Sequence, residues 1–148
     1  MTTRRSPLAI MALVAALALL IPPPPASATS PTGRHKMFHF VNHYRSQHGR
    51  RPIRQSADAN RIAQRHSRLM ASDKTLFHSS SLWTKLRAHD PSAWGENVGE
   101  AWCVWRVYKM WTQSYDHRAN MLSRRYRRAG VGIVHANGGL WITMIYFG

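Results

Sequence analysis

Three residues of this chain carry side chains suited to acting together on a ligand: His78, Glu96 and His117. Two neutral imidazoles and a carboxylate are enough to hold a zinc-like divalent ion, with water completing the shell. The same groups can accept and release protons, with Glu96 as the candidate general base of a metal-assisted hydrolase. A third reading is a hydrogen-bonded cluster in which Glu96 fixes the tautomer of a histidine. Nothing in the linear spacing decides among these, because three separate stretches must fold onto one pocket. Ser79 and Ser114 lie near the histidines in sequence, yet no base-plus-orienter arrangement can be argued for either, so no nucleophile is assigned. His39 and His43 stand four apart on one helical face without a carboxylate or third ligand, and are read as solvent-facing. His66 falls on an apolar stripe and reads as a hydrogen-bonded core residue.

The elements that must position these groups follow from hydrophobic periodicity. Met37, Phe40, Val41 and Tyr44 recur at helical steps, and Gly49 with Pro52 ends that helix. Ser56 is placed to cap a second helix, with Asp58 in its first turn, where the macrodipole favours an anion. Ala59, Ile62, Ala63, Leu69 and Met70 form its apolar stripe, and Arg61, Gln64, Arg65 and Arg68 are expected to point outward. Residues 72–91 read as loops with a short helical turn. Trp94 to Gly99, which carries Glu96 between glycines, reads as a tight, partly buried turn. Ala101, Val104, Trp105, Tyr108 and Trp111 mark a third helix, with Cys103 as a small buried hydrophobe in the same stretch. Residues 114–118 read as a turn, with Asp116 capping a short helical stretch over 118–122. Residues 130–136 and 140–147 are β-rich and separated by Asn137-Gly138, a pair suited to a type I′ hairpin turn. Both strands are apolar at nearly every position, so the sheet should be covered on both faces. Helices early and strands late make the fold class α+β, a three-layer α-β-α sandwich with a central antiparallel sheet.

The first 28 residues stand apart. Arg4 and Arg5 precede an apolar run at 8–21, four prolines at 22–25 and Ala26-Ser27-Ala28, the pattern of a secretory signal peptide cleaved after Ala28. The apolar run is shorter than the roughly 20 residues that span a bilayer. The expected organisation is a signal peptide at 1–28, a linker at 29–35 and one domain at 36–148, secreted and not transmembrane after cleavage. Removing the leader with Arg4 and Arg5 lowers the formal net charge from +15 to +13. Such an excess favours anionic surfaces: envelope polymers, lipid headgroups or, non-specifically, nucleic acid. The arginines at 124, 125, 127 and 128 around Tyr126 form a basic cluster that reads as an exposed charged face, not as specific nucleic-acid recognition. With Cys103 as the one cysteine, no intramolecular disulfide is possible, and the core must be hydrophobic.

Four motifs occur in a familiar order: Phe77-His78-Ser79; Gly95-Glu96-Asn97-Val98; Trp111-x-x-Ser114-x-x-His117-Arg118-Ala119-Asn120-Met121-Leu122; and Tyr126-x-x-x-Gly130-Val131-Gly132. Together with Val41-Asn42-x-x-Arg45, Gly49 and Ala63-x-x-His66, they resemble the CAP superfamily of cysteine-rich secretory, antigen and pathogenesis-related proteins, in its bacterial, cysteine-poor form. The resemblance covers residues 36–148. It implies an α-β-α sandwich whose cleft holds two histidines and one or two acids, able in some members to bind a divalent metal. Carried over, those residues are His78, Glu96 and His117 as metal ligands. The second acid of the fuller pattern would fall near Trp111 to Ser114, where this chain offers only Gln113 or Ser114. Tyr115-Asp116 replaces the Pro-Gly common in bacterial relatives. The family's functions are diverse, so membership does not by itself fix one. The expected function is a monomeric, secreted, non-catalytic binding module for an anionic envelope polymer or lipid, with a cleft open to zinc. The alternative is a metal-assisted peptidase or nuclease using the same cleft.

Overall fold

In the computed structural model, which describes residues 31–148, helices and sheet form three layers. The elements run α1 (Pro31–Gln47), β1 (Arg54–Gln55), α2 (Ala57–Asp73), α3 (Leu82–Leu86), a 3-10 turn (Arg87–His89), β2 (Trp94–Ala101), α4 (Val104–Gln113), α5 (Tyr115–Leu122), β3 (Arg128–Ala136) and β4 (Gly139–Phe147). The sheet order is β1-β3-β4-β2. The short β1 runs parallel to β3, and the other two pairings are antiparallel. Asn137 and Gly138 both have positive φ, 53° and 80°, as the hairpin turn between β3 and β4 requires.

Every residue of β4 is buried, which is the two-sided cover its unbroken apolar sequence demands. Leu140, Ile142, Met144 and Tyr146 share a core with Met37 and Val41 of α1, Val107 and Trp111 of α4, and Met121 of α5. On the other face Ile145 and Phe147 meet Ala59, Ile62 and Ala63 of α2, and Trp141 joins Met70. The contact between α2 and β3 is close enough to exclude side chains: a Cβ added at Gly130 or Gly132 would run into the α2 backbone at Ala59 or Ala63. The β3 backbone beyond β1 is also not left bare. Asn60 Oδ1 accepts from Val131 N (2.8 Å), Gln64 brackets Ile133 through both its amide atoms (2.9 and 3.0 Å), and Arg34 Nε donates to the Val131 carbonyl (3.0 Å). Side chains thus complete an edge that would otherwise template further strand pairing.

Several local expectations change. Residues 31–35 are the first turn of α1 rather than linker; proline tolerates a helix start because its missing N–H has no intrahelical partner there. Gln64 is buried, not outward, because the β3 backbone recruits its amide. Leu69 and Trp105 are half exposed (53% and 51%), off the stripes assigned to them. Trp94 to Gly99 is strand, not turn: β4 offers eight partners in register from Phe147 to Leu140, and that pairing overrides the glycines. Cys103 sits half-buried at the N-cap of α4. The turn at 114–118 is already helix from Tyr115, and Asp116 lies in its first turn rather than capping it. Ser56 caps α2 as expected, accepting from Ala59 N at 3.3 Å. The leader assigned to 1–28 lies outside the described residues.

Candidate functional site

β2 is the outer strand of the sheet, and the candidate site is built along it. Glu96 is buried there (8% exposed). Its Oε1 accepts from His78 Nδ1 (3.0 Å) and from the Ser79 backbone amide (2.8 Å). With a carboxylate as acceptor, His78 Nδ1 is the donor of this bond. The His78 side chain is 62% exposed. His66 closes the inner side. It is buried, donates from Nε2 to the Phe77 carbonyl at 2.7 Å, and stands 3.9 Å from Glu96 Oε1. It therefore fixes the segment that presents His78. Two polar atoms remain buried and without a partner among the described residues: Glu96 Oε2 and Ser79 Oγ. Both are on residues joined by the Ser79–Glu96 hydrogen bond.

His117 comes from α5. Its ring packs beside Trp111, with centroids 6.2 Å apart, and its carbonyl accepts from Asn97 Nδ2 at 3.0 Å. Burial holds its imidazole below the ordinary histidine value, His78 pushes it the same way, and Asp116 opposes both. The two imidazoles are thus electrostatic neighbours, although no hydrogen bond or ion pair joins His117 to His78 or Glu96 among the described residues. The fold brings His78 and Glu96 into direct contact and leaves His117 near His78 without a bond to either.

A polar frame holds α4 and α5 to the strand. Asn120 Nδ2 donates to the Glu96 carbonyl (3.2 Å) and to Asn97 Oδ1 (3.0 Å), and Trp111 Nε1 donates to the Val98 carbonyl (2.9 Å). Two carbonyls of the edge strand are satisfied by α4 and α5 instead of by another strand. Tyr126 donates to the Trp94 carbonyl at 2.8 Å, and a Cβ at Gly95 would meet its hydroxyl and Asn120, so this position has room only for glycine. Sequence reasoning assigned no role to Ser79's amide, Asn97, Asn120 or Tyr126. A main-chain donor and a framing amide carry no signature in residue type.

The chain belongs to the CAP, cysteine-rich secretory protein family, whose model matches residues 38–146. No curated protein matches it by sequence. Among solved structures it is similar to an outer surface protein of Borrelia burgdorferi (TM-score 0.74, 9% identity, covering 82% of this chain and 97% of that one). It is also similar to an extracellular SCP-domain protein of Bacillus anthracis (TM-score 0.68, 20% identity, covering 82% of this chain). The match spans 45% of the Bacillus protein, so the chain corresponds to less than half of it. A third similar structure is NaASP2, solved with Zn2+ (TM-score 0.63, 12% identity, covering 82% of each chain). At these identities the likeness shows the fold. No helix among the described residues is long and apolar enough to cross a membrane.

The zinc of NaASP2 raises the question whether these residues fit a metal. Among the described residues no three His, Cys, Asp or Glu side chains group closely enough to hold one. Glu96 Oε1 is already engaged by two donors. The stretch where a second acid would stand offers Thr112, Gln113 and Ser114. As placed, the residues do not fit a preformed metal centre.

Proposed function

We propose that the chain is a secreted, non-catalytic binding module for an anionic polymer of the cell envelope. The observation that carries this reading is the state of its cations. Among the described residues, Arg61 is the one lysine or arginine whose side chain reaches a carboxylate, that of Asp58. The remaining positive charge is not neutralised internally and is available to an external polyanion. The site chemistry agrees with binding rather than turnover. Ser79 gives Glu96 its amide, while its Oγ has no partner among the described residues, so no base is in place to activate it. The extracellular and outer-surface descriptions of the similar bacterial proteins, together with the leader-like start of the sequence, support a role outside the cell.

The test is co-sedimentation of the protein with isolated cell wall and with anionic vesicles. Retention on the wall is expected at low ionic strength, with release as salt approaches about 1 M, where screening shortens to roughly 3 Å. Absence of retention on both materials at low salt would sink the proposal.

A further inference from the structure

At the C-terminal end of α1 the chain turns through Gly49, at φ +63°, and folds back against the segment that follows α5. Arg45, Gly49, Arg50, Arg51, Arg124 and Arg127 line the resulting concavity of about 200 Å³. None of the cleft residues His78, Glu96 or His117 lines it.

Arg45 is the unusual member, because it is 1% exposed. Its Nε donates to the Arg51 carbonyl (2.8 Å), and its Nη1 donates to the carbonyls of Met121 (2.6 Å) and Ser123 (3.0 Å). Its Nη2 has no acceptor among the described residues. Arg50 Nε likewise donates to the Leu122 carbonyl (2.9 Å) and Arg127 Nη1 to the Arg124 carbonyl (2.6 Å). Carbonyls orient these guanidinium groups but cannot neutralise them. No carboxylate lies within salt-bridge distance of any of the five among the described residues. Nor can Tyr146, the phenol nearest in charge to Arg45, serve as a counter-ion, because burial raises it far above the ordinary phenol value and keeps it neutral. Burial acts against the Arg45 charge, repulsion from Arg50 and Arg127 adds to it, and an anion in the concavity would offset that repulsion.

We propose that this concavity is a phosphate-binding site, taking the phosphate groups carried along an envelope polymer. The identity of the polymer rests on the binding function proposed above; the site itself rests on the arginines. Guanidinium forks match phosphate oxygens in pairs, and several fixed forks around one hollow suit a group with three or four acceptors better than a lone carboxylate. A recess walled by long side chains admits a group projecting from a flexible chain more readily than a flat bilayer.

The test uses Arg124→Glu/Arg127→Glu, both exposed, against Arg65→Glu/Arg68→Glu, an equal charge change on the exposed face of α2. Binding is measured to a glycerol-phosphate polymer and to phosphatidylglycerol vesicles. Inorganic phosphate is titrated separately while the Arg45 Nε–H resonance is followed by NMR. The expected result is a phosphate-dependent shift of that resonance, and polymer affinity weakened about tenfold or more in the first variant but less than about threefold in the second. Equal weakening in both variants, or an Arg45 resonance unmoved by phosphate, would overturn the site. If the polymer still binds in that case, the binding function stands without it. If phosphate moves the resonance but neither polymer nor vesicle is bound at low salt, the site stands and the binding function falls. Loss confined to vesicles would overturn the polymer assignment in favour of a membrane source.

Discussion

Two polar sites of the molecule are built on opposite terms. Along β2, one buried carboxylate accepts from two donors of its own chain, the His78 imidazole and the Ser79 amide, with the His66 ring close by. Beyond the end of α1, one buried guanidinium is surrounded by carbonyls and other cations, with no acid beside it among the described residues. The first site is largely complete within the fold, with Glu96 Oε2 and Ser79 Oγ as its unpartnered atoms among the described residues. The second is oriented but not neutralised, and its missing component is a negative charge. Unbalanced charge therefore singles out the second site. Family motifs contribute to both sites, His78 and Glu96 to the first and Arg45 and Gly49 to the second, but the second, lined by five arginines, has most to gain from an anion.

The sharpest way to break this contrast is to remove the two buried charges in turn. Arg45→Met strips donors from three carbonyls at once and should cost about 3 kcal/mol in urea unfolding. Arg50→Met, which frees one carbonyl on a more exposed residue, should cost about 1 kcal/mol or less. A small effect of Arg45→Met would mean that the buried guanidinium is not holding the turn. Glu96→Ala should cost about 2 kcal/mol by leaving the Ser79 amide and the His78 ring without their acceptor. A stability change near zero would show that the cleft does not depend on its carboxylate.

Two smaller effects sharpen the description of the cleft. Because burial lowers the His117 value, the folded state binds a proton there less readily than the unfolded chain does. The contribution of His117 is full above its ordinary value of 6.5 and is lost as pH falls from there through the lowered folded value. His117→Asn should flatten the stability–pH curve across that window; an unchanged slope would contradict the assigned burial. Zinc calorimetry should give the same titration for the wild type and for His78→Ala/His117→Ala. A heat present in the first and missing in the second would restore a metal centre.

Much of the fold was legible in the sequence because its strongest signals are local. Asn137-Gly138 set the hairpin, unbroken apolar runs implied a sheet covered on both faces, and Ser56 capped α2. The misreadings have a common cause in long-range partners. The glycines at 95 and 99 made β2 look like a turn, yet they are there to let Tyr126, Asn120, Val107 and Trp111 approach the strand. Gln64 looked like a surface residue until the β3 backbone claimed its amide. At the site, His78 and Glu96 were identifiable from type and motif, and their contact is direct. The Ser79 amide and the Asn97–Asn120 frame were not, because main-chain donors are present at every residue and asparagines serve anywhere. Arg45 appeared in a motif as a helix residue; that it is a buried cation with no acid beside it depends on chain returning from residues 121–127.

The most direct test of the account is the salt dependence of binding to a glycerol-phosphate polymer. If the arginines at the end of α1 grip phosphates, the plot of log affinity against log salt for Arg124→Gln/Arg127→Gln should be shallower than for the wild type by about 1 to 2, close to one per lost contact. An identical slope in the two proteins would contradict it.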